Sequence, residues 1–254
     1  MRRALSYVLM MCLLAVPTVR AAGEAAQRSA VLTFLESRAE AAPRAERDLR
    51  RYAQARQEAD PNIRILALAE LDRPGHFVLL ERASGGEHPP RAPDVRAEEW
   101  LEAPADTRTH RVVAGEVDFA LRGASAGDLY VIAHLDIAAP PTAIGDALEA
   151  LSRAARASLG NRGFEVWQQT GRPNHFNLVS RWDERADLER FCAGEAARAF
   201  RARVAGLLGS PFDQRLYCRI PQGRETGSRR RNASEPTACY AGSTSRETGP
   251  QGNL

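Results

Sequence analysis

The sequence predicts an α+β protein: two tandem ferredoxin-like β-α-β-β-α-β repeats that pair as a pseudo-dimer within one chain. Three observations carry this expectation. The phrase "RPGHF" at 73–77 returns as "RPNHF" at 172–176, ninety-nine positions later. At the same offset Leu49 falls on Leu148, Ala55 on Ala154, Asn62 on Asn161, Leu79 on Leu178 and Arg82 on Arg181, with no insertion across a helix and two strands. Both copies also run through the same order of elements. A four-stranded sheet of about 90 residues has one face to hide, and two such sheets in one chain can hide them against each other.

The elements follow in order. "SAVLTFLES" (29–37) is β-branched and aromatic and reads as the first strand. Pro43 suits the first turn of a helix whose Ala45, Leu49, Tyr52, Ala53 and Arg56 share one face; Pro61 ends it. "IRILALAEL" and "FVLLERA" are two strands rather than one helix, because Pro and Gly stand between them in "DRPGH". "APDVRAEEWL" (92–101) reads as a second helix and "HRVVAGEVDFAL" (110–121) as a closing strand. In the second copy "LYVIAHLDI" (129–137) is almost unbroken in its apolar character, which predicts cover on both faces. After Pro140 and Pro141, the residues Ile144, Ala147, Leu148, Leu151, Ala155 and Ser158 line one helix face, stopped by Gly160-Asn161. "FEVWQQ" and "FNLVSRW" flank the repeated turn. One long helix is expected over 184–208, with Leu188, Phe191, Cys192, Ala196, Phe200, Val204 and Leu207 inward, and "DQRLYCRI" (213–220) is the last strand.

The chain ends divide from this body. "MRRALSYVLMMCLLAVPTVRAAG" opens with Arg2 and Arg3, then an apolar run and small residues at Ala21 and Ala22, the build of a secretory signal peptide over 1–21. Export to the periplasm or medium is the expectation, with no membrane partner once the signal is cleaved. Without Arg2, Arg3 and Arg20 the chain has 32 basic and 32 acidic side chains, so nothing in its net charge points to nucleic acid. The repeat bodies are therefore placed at 28–121 and 128–220, and the polar, aperiodic 221–254 reads as a disordered tail. Cys192, Cys218 and Cys239 remain after cleavage; Cys218 and Cys239 could pair in an oxidising compartment. No CxxC, glycine-rich phosphate loop, HExxH or Ser-His-Asp order is present, so no metal site is expected and hydrolase or nucleotide chemistry has no motif to rest on.

The second copy also resembles a known family. "LYVIAHLDI", "GNRGFEVWQQTGRPNHFNLVSRWDERADLERF" and "FRARVAGLLGSPFDQRLY" together resemble an antibiotic biosynthesis monooxygenase domain, over roughly 128–220. The first copy, 29–121, shares the resemblance only through the duplication. The resemblance implies a dimeric α+β barrel, here pseudo-dimeric, and a monooxygenase that oxidises a small quinol or polyphenol with O2. It implies no cofactor, because in such enzymes the substrate anion is taken to activate oxygen. Two departures stand out. Family members often carry His on the long helix, where this chain has Phe191 and Ala196, and a Glu two residues before the strand Trp, where it has Ser180.

Seven residues are the resulting candidates. His134 sits mid-strand, where a neutral imidazole accepts a phenolic proton near neutral pH; a core histidine with one hydrogen bond is the alternative. His175 and Asn174 lie at the repeated turn, as an acid–base group and an amide for a substrate oxygen; turn stabilisation competes, since His76 matches His175 and Gly75 replaces Asn174. Trp167, Trp182, Phe176 and Phe164 are the aromatic walls expected to bind a small aromatic substrate, with core packing as the alternative. Leu68 and Ala83 stand opposite the two tryptophans in the first copy, so a ligand site is expected in the second. The rival reading is a non-catalytic binding protein for a small aromatic compound on the same scaffold.

Overall fold

A computed structural model describes residues 29–83, 99–117 and 128–221. The signal segment, Cys239, nearly all of the expected tail and most of the expected helix at 92–101 lie outside them. Eight antiparallel strands close a barrel in the order β1-β3-β2-β8-β5-β7-β6-β4. They are β1 Ser29–Glu36, β2 Ile63–Glu70, β3 His76–Ala83, β4 Asp106–Val117, β5 Leu129–Asp136, β6 Asn161–Gln169, β7 His175–Trp182 and β8 Asp213–Arg219. Four helices join them: α1 Ala42–Ala59, α2 Gly145–Arg156, α3 Arg185–Cys192 and α4 Glu195–Val204.

Each half contributes its four strands in ferredoxin-like order, and each half's last strand crosses to the other half. β4 pairs with β1 over Asp106–Arg111 and then with β6 over His110–Val117. β8 pairs with β5 and, over Tyr217–Arg219, with β2. β1 and β5 stand four places apart in an alternating ring, so they run parallel, and the pseudo-twofold relating the halves runs along the barrel axis. The ladders give the equivalences. Leu35 faces Phe77 as Leu135 faces Phe176, and Leu32 faces Arg108 as Ile132 faces Arg215. The offset between copies is thus 100 at β1/β5, 99 at β3/β7 and 107 at β4/β8.

Most elements match the sequence expectation, and two differ, β4 and the long helix. β4 begins at Asp106, four residues before the expected strand, because its first residues complete the ladder to β1; residues 118–121 of that expectation lie outside the description. The expected helix over 184–208 is two helices with a break at Ala193-Gly194 and a 3-10 turn at Ala205–Leu207. Two arginines make the break affordable: Arg201 donates to the Cys192 carbonyl at 2.8 Å and Arg198 to that of Ala193. β4 also carries a bulge between Val112 and Ala114, where Gly115 has φ 80°. A Cβ there would stand 1.9 Å from the Phe164 carbonyl oxygen, so only glycine fits.

Alternation along the strands sorts side chains into two environments. Outward residues meet the helices: Leu35, Leu79 and Trp100 pack on Leu49 and Ala53 of α1, while Leu135, Phe164 and Phe176 pack on Leu148, Ala197 and Phe200 of α2 and α4. Inward residues fill the barrel. Its middle is an apolar belt of Leu32, Leu68, Leu80, Ile132, Trp167 and Val179. One end is occupied by buried ion pairs, Arg82 with Glu165 at 3.1 Å and Arg181 with Asp128 at 3.2 Å. The other end stays open. Cys192 is a free thiol, and Cys239, the expected candidate to pair with Cys218, lies outside the described residues.

Candidate functional site

The open end holds a cavity of about 440 Å³ on the pseudo-twofold axis. Phe34 and Arg108 come from the first half, and His134, Arg172, His175, Asn177 and Tyr217 from the second. All but Arg172 are inward residues, and all of those but Tyr217, which faces Tyr130 deeper in, lie toward the same end of the barrel. Arg172 reaches the rim from the β6–β7 turn.

Along one wall runs a line of polar groups. Asp136 Oδ1 lies 3.3 Å from His175 Nε2, and His175 Nδ1 lies 3.3 Å from His134 Nε2. Deeper in, Asn177 Nδ2 lies 2.9 Å from His110 Nε2. Burial lowers the basicity of all three imidazoles. His110 is driven down to about 4 chiefly by burial, with the charge of Arg108 and the His134 ring adding to it and a hydrogen bond to the Arg108 backbone opposing. His134 is lowered by burial, with Arg108 and His175 adding to it. His175 is lowered by burial and by Arg172 and Arg108, with Asp136 opposing. At neutral pH the rings are uncharged, and partners then fix the protons. The Asp136 carboxylate can only accept, so His175 carries its hydrogen on Nε2. Its Nδ1 then accepts from His134 Nε2–H. On that assignment His134 Nδ1 carries the lone pair; it is a buried atom that makes no hydrogen bond of normal length among the described residues, with the Asn177 side chain close enough to oppose the loss of basicity. Such a line can take up a proton at one end and spread the charge toward Asp136 at the other. Among the described residues no group of three or more His, Cys, Asp or Glu side chains is arranged to hold a metal ion.

The seven candidates from the sequence do not share one pocket. His134 and His175 meet at the barrel mouth. Asn174 lies behind them: its amide donates to the Ile137 carbonyl at 3.1 Å and to Asp136 Oδ1 at 3.3 Å, tying the turn to the carboxylate. In the first copy Gly75, φ 87°, packs on Ser37 at the same place. Trp167 faces the barrel interior, where its Nε1 donates to Glu165 at 2.7 Å. Trp182, Phe176 and Phe164 lie on the opposite face of the sheet, under the helices. There the cavity is about 60 Å³, room for about two waters. Phe191 helps to close it, its ring 5.2 Å from that of Trp182 at the position where the resemblance would place a helix histidine.

Sequence reasoning passed over Asp136, Asn177, His110, Arg108 and Arg172. Two of them had a signal in the alternation of strands: Asp136 is two residues from His134, and Asn177 two from His175. A third signal lay in the repeat, since "DTR" at 106–108 returns as "DQR" at 213–215. The first half also keeps a glutamate where the second has Ser180. Glu81 is buried beside Arg56 at 3.5 Å, accepts from the Tyr52 hydroxyl at 3.4 Å, and is pushed up by burial to about 6.

Comparison with known proteins bears on the second half first. Residues 130–203 match the family model described as antibiotic biosynthesis monooxygenase. Solved structures match both halves at once. A candidate monooxygenase of Fusobacterium nucleatum aligns with TM-score 0.66 at 6% identity, over 78% of this chain and 94% of its own. A second candidate monooxygenase, of Lactobacillus acidophilus, gives 0.59 at 7% identity over 77% and 95%. An anthrone oxidase-like protein gives 0.55 at 15% identity over 77% and 92%. No protein of curated function matches the chain in sequence. The second half is thus similar to that family over residues 130–203, and both halves together share the fold of these structures.

Proposed function

We propose that this protein is a monooxygenase that oxidises a small quinol or polyphenol with O2, and that its reaction takes place at the barrel mouth. One observation carries the reading: the unpartnered Nδ1 of His134 stands at the head of the Asp136–His175–His134 line, beside the ligand-sized cavity that this line walls. A phenol that donates its proton to His134 Nδ1 becomes an electron-rich phenolate, the species taken to activate oxygen in the family that the second half resembles. For a phenol with an unsubstituted ring position, one oxygen atom enters the ring and the other leaves as water, giving a quinone with no outside reductant. The imidazolium formed at His134 is held by His175, whose own Nε2–H remains on Asp136. Asn174 keeps that carboxylate in place, as a positioning residue. Phe34 supplies an apolar wall across the axis. Export through the leader at 1–21 is part of the same proposal, supported by its charge and apolar pattern.

The test is oxygen uptake by the purified protein with a panel of hydroquinones and polyphenols, with chelator and without added flavin. His134→Ala is expected to abolish uptake above autoxidation while ligand affinity stays within a few-fold. Undiminished uptake in that variant removes His134 from the mechanism. A second reading, a binding protein without turnover, is favoured by Phe191 filling the place of a helix histidine against Trp182. Binding without uptake in the parent protein would select it.

A further inference from the structure

Three guanidinium groups border the barrel mouth, and they are not equally occupied. Arg215 is spent on both edges: Nε and Nη2 meet Asp213 at 2.9 Å, and Nη1 approaches Glu70 at 3.7 Å. Arg108, its pseudo-symmetric partner, uses Nε and Nη2 on a single oxygen of Asp106, at 3.0 and 2.6 Å. Its guanidinium lies 5.2 Å over the Phe34 ring, and among the described residues no carboxylate pairs with its Nη1. Arg172 is exposed at the rim, and among the described residues no carboxylate pairs with it. Of the remaining carboxylates at the mouth, Glu36 is turned to His76 Nδ1 at 3.3 Å and Asp136 to His175 Nε2 at 3.3 Å. Neither Arg108 nor Arg172 finds a countercharge in the imidazoles, which are neutral.

From this arrangement we infer that the molecule bound at the barrel mouth is an aromatic acid, a phenol whose ring also bears a carboxylate held by Arg172 and the free edge of Arg108. The inference rests on the reading of the mouth as the substrate site and narrows its substrate class. A planar carboxylate takes two parallel N–H donors from one guanidinium and the positive field of the other, which a neutral hydroquinone cannot use. The ring then stacks toward Phe34 while its hydroxyl reaches His134.

Calorimetric titration under nitrogen, with 2,5-dihydroxybenzoate and with hydroquinone, separates the possibilities without turnover. The parent protein is expected to bind 2,5-dihydroxybenzoate at least about tenfold more tightly, the scale of one charge-assisted contact. In Arg172→Met and in Arg108→Met that ratio is expected to fall below about threefold. Equal affinities in the parent, or a ratio retained in both variants, overturns the inference and leaves the site reading standing. Binding of neither compound overturns both. Preferential binding of the acid with no oxygen uptake upholds the inference and refutes the oxidation.

Discussion

Replacing His110 by Phe tests the electrostatics of the barrel interior directly. His110 is 2% exposed, its ring centroid 6.0 Å from that of Trp167, and burial drives it down to about 4. The unfolded chain protonates this ring near 6.5, so stability that is present above that value is lost as pH falls toward the folded-state value. Linkage with these two values gives a loss of about 1.4 kcal/mol by pH 5.5 and about 2.5 kcal/mol by pH 4.5. Phe fills the space but cannot accept from Asn177 Nδ2, which costs about 1–3 kcal/mol at every pH. Urea unfolding followed by tryptophan fluorescence should therefore show the variant less stable near neutrality. The two stability curves should converge on acidification and cross near about pH 5. Glu81 runs the other way, since a raised carboxyl contributes stability at low pH that is lost as pH rises through about 6. It is common to both proteins and cancels in their difference. Parallel curves for parent and variant across this range would refute the assignment of a buried neutral His110.

Two further expectations concern the parts of the barrel that hold this site in shape. Arg181→Met should cost about 3–5 kcal/mol in the same unfolding assay, because it leaves Asp128 buried without its cation at the closed end; a loss under about 1 kcal/mol would mean that the pair is solvated. Gly115→Ala should cost at least about 2 kcal/mol, since the added methyl meets a strand carbonyl and the backbone sits at positive φ. Hydrogen exchange in that variant should rise in β4 and β6 before it rises in β1; uniform exchange would show that the bulge is not what the methyl disturbs.

The strands and the doubling were readable because they depend on local pattern. β5 is apolar at nearly every position, and burial on both faces follows, by the helices on one side and by the barrel on the other. The break at Gly194 escaped notice because Leu188, Phe191, Phe200 and Val204 keep helical spacing across it; the carbonyls that Arg198 and Arg201 satisfy are a tertiary matter. The site divided in the same way. His134 and His175 were visible as titratable groups in apolar strands. Trp182, Phe176 and Phe164 were grouped with them, although strand alternation puts Phe176 on the other face from His175 and Asn177. His110 and Arg108 could not be found locally at all. They reach the second half's histidines only because β4 leaves its own half, and eight extra residues between β7 and β8 hide the correspondence of "DTR" with "DQR".

Duplication within one chain has a chemical consequence at the axis. In a dimer of identical subunits every residue lining a twofold axis appears twice, so a histidine wall faces a histidine wall. Here the scaffold pairs persist, Asp106 with Asp213 and Arg108 with Arg215, while other positions on the cavity wall have diverged. His134 stands opposite Phe34, Asn177 opposite Val78, and Trp167 opposite Leu68. The dyads below them differ by a methylene. Glu36 reaches round to Nδ1 of His76 and uses up the nitrogen that would point inward, whereas the shorter Asp136 meets His175 at Nε2 and leaves Nδ1 for His134. One copy therefore ends its dyad at the rim, and the other extends it to the cavity wall. The asymmetry sets one imidazole wall against one apolar wall across the axis. A symmetric pair of subunits could not build it on their own axis.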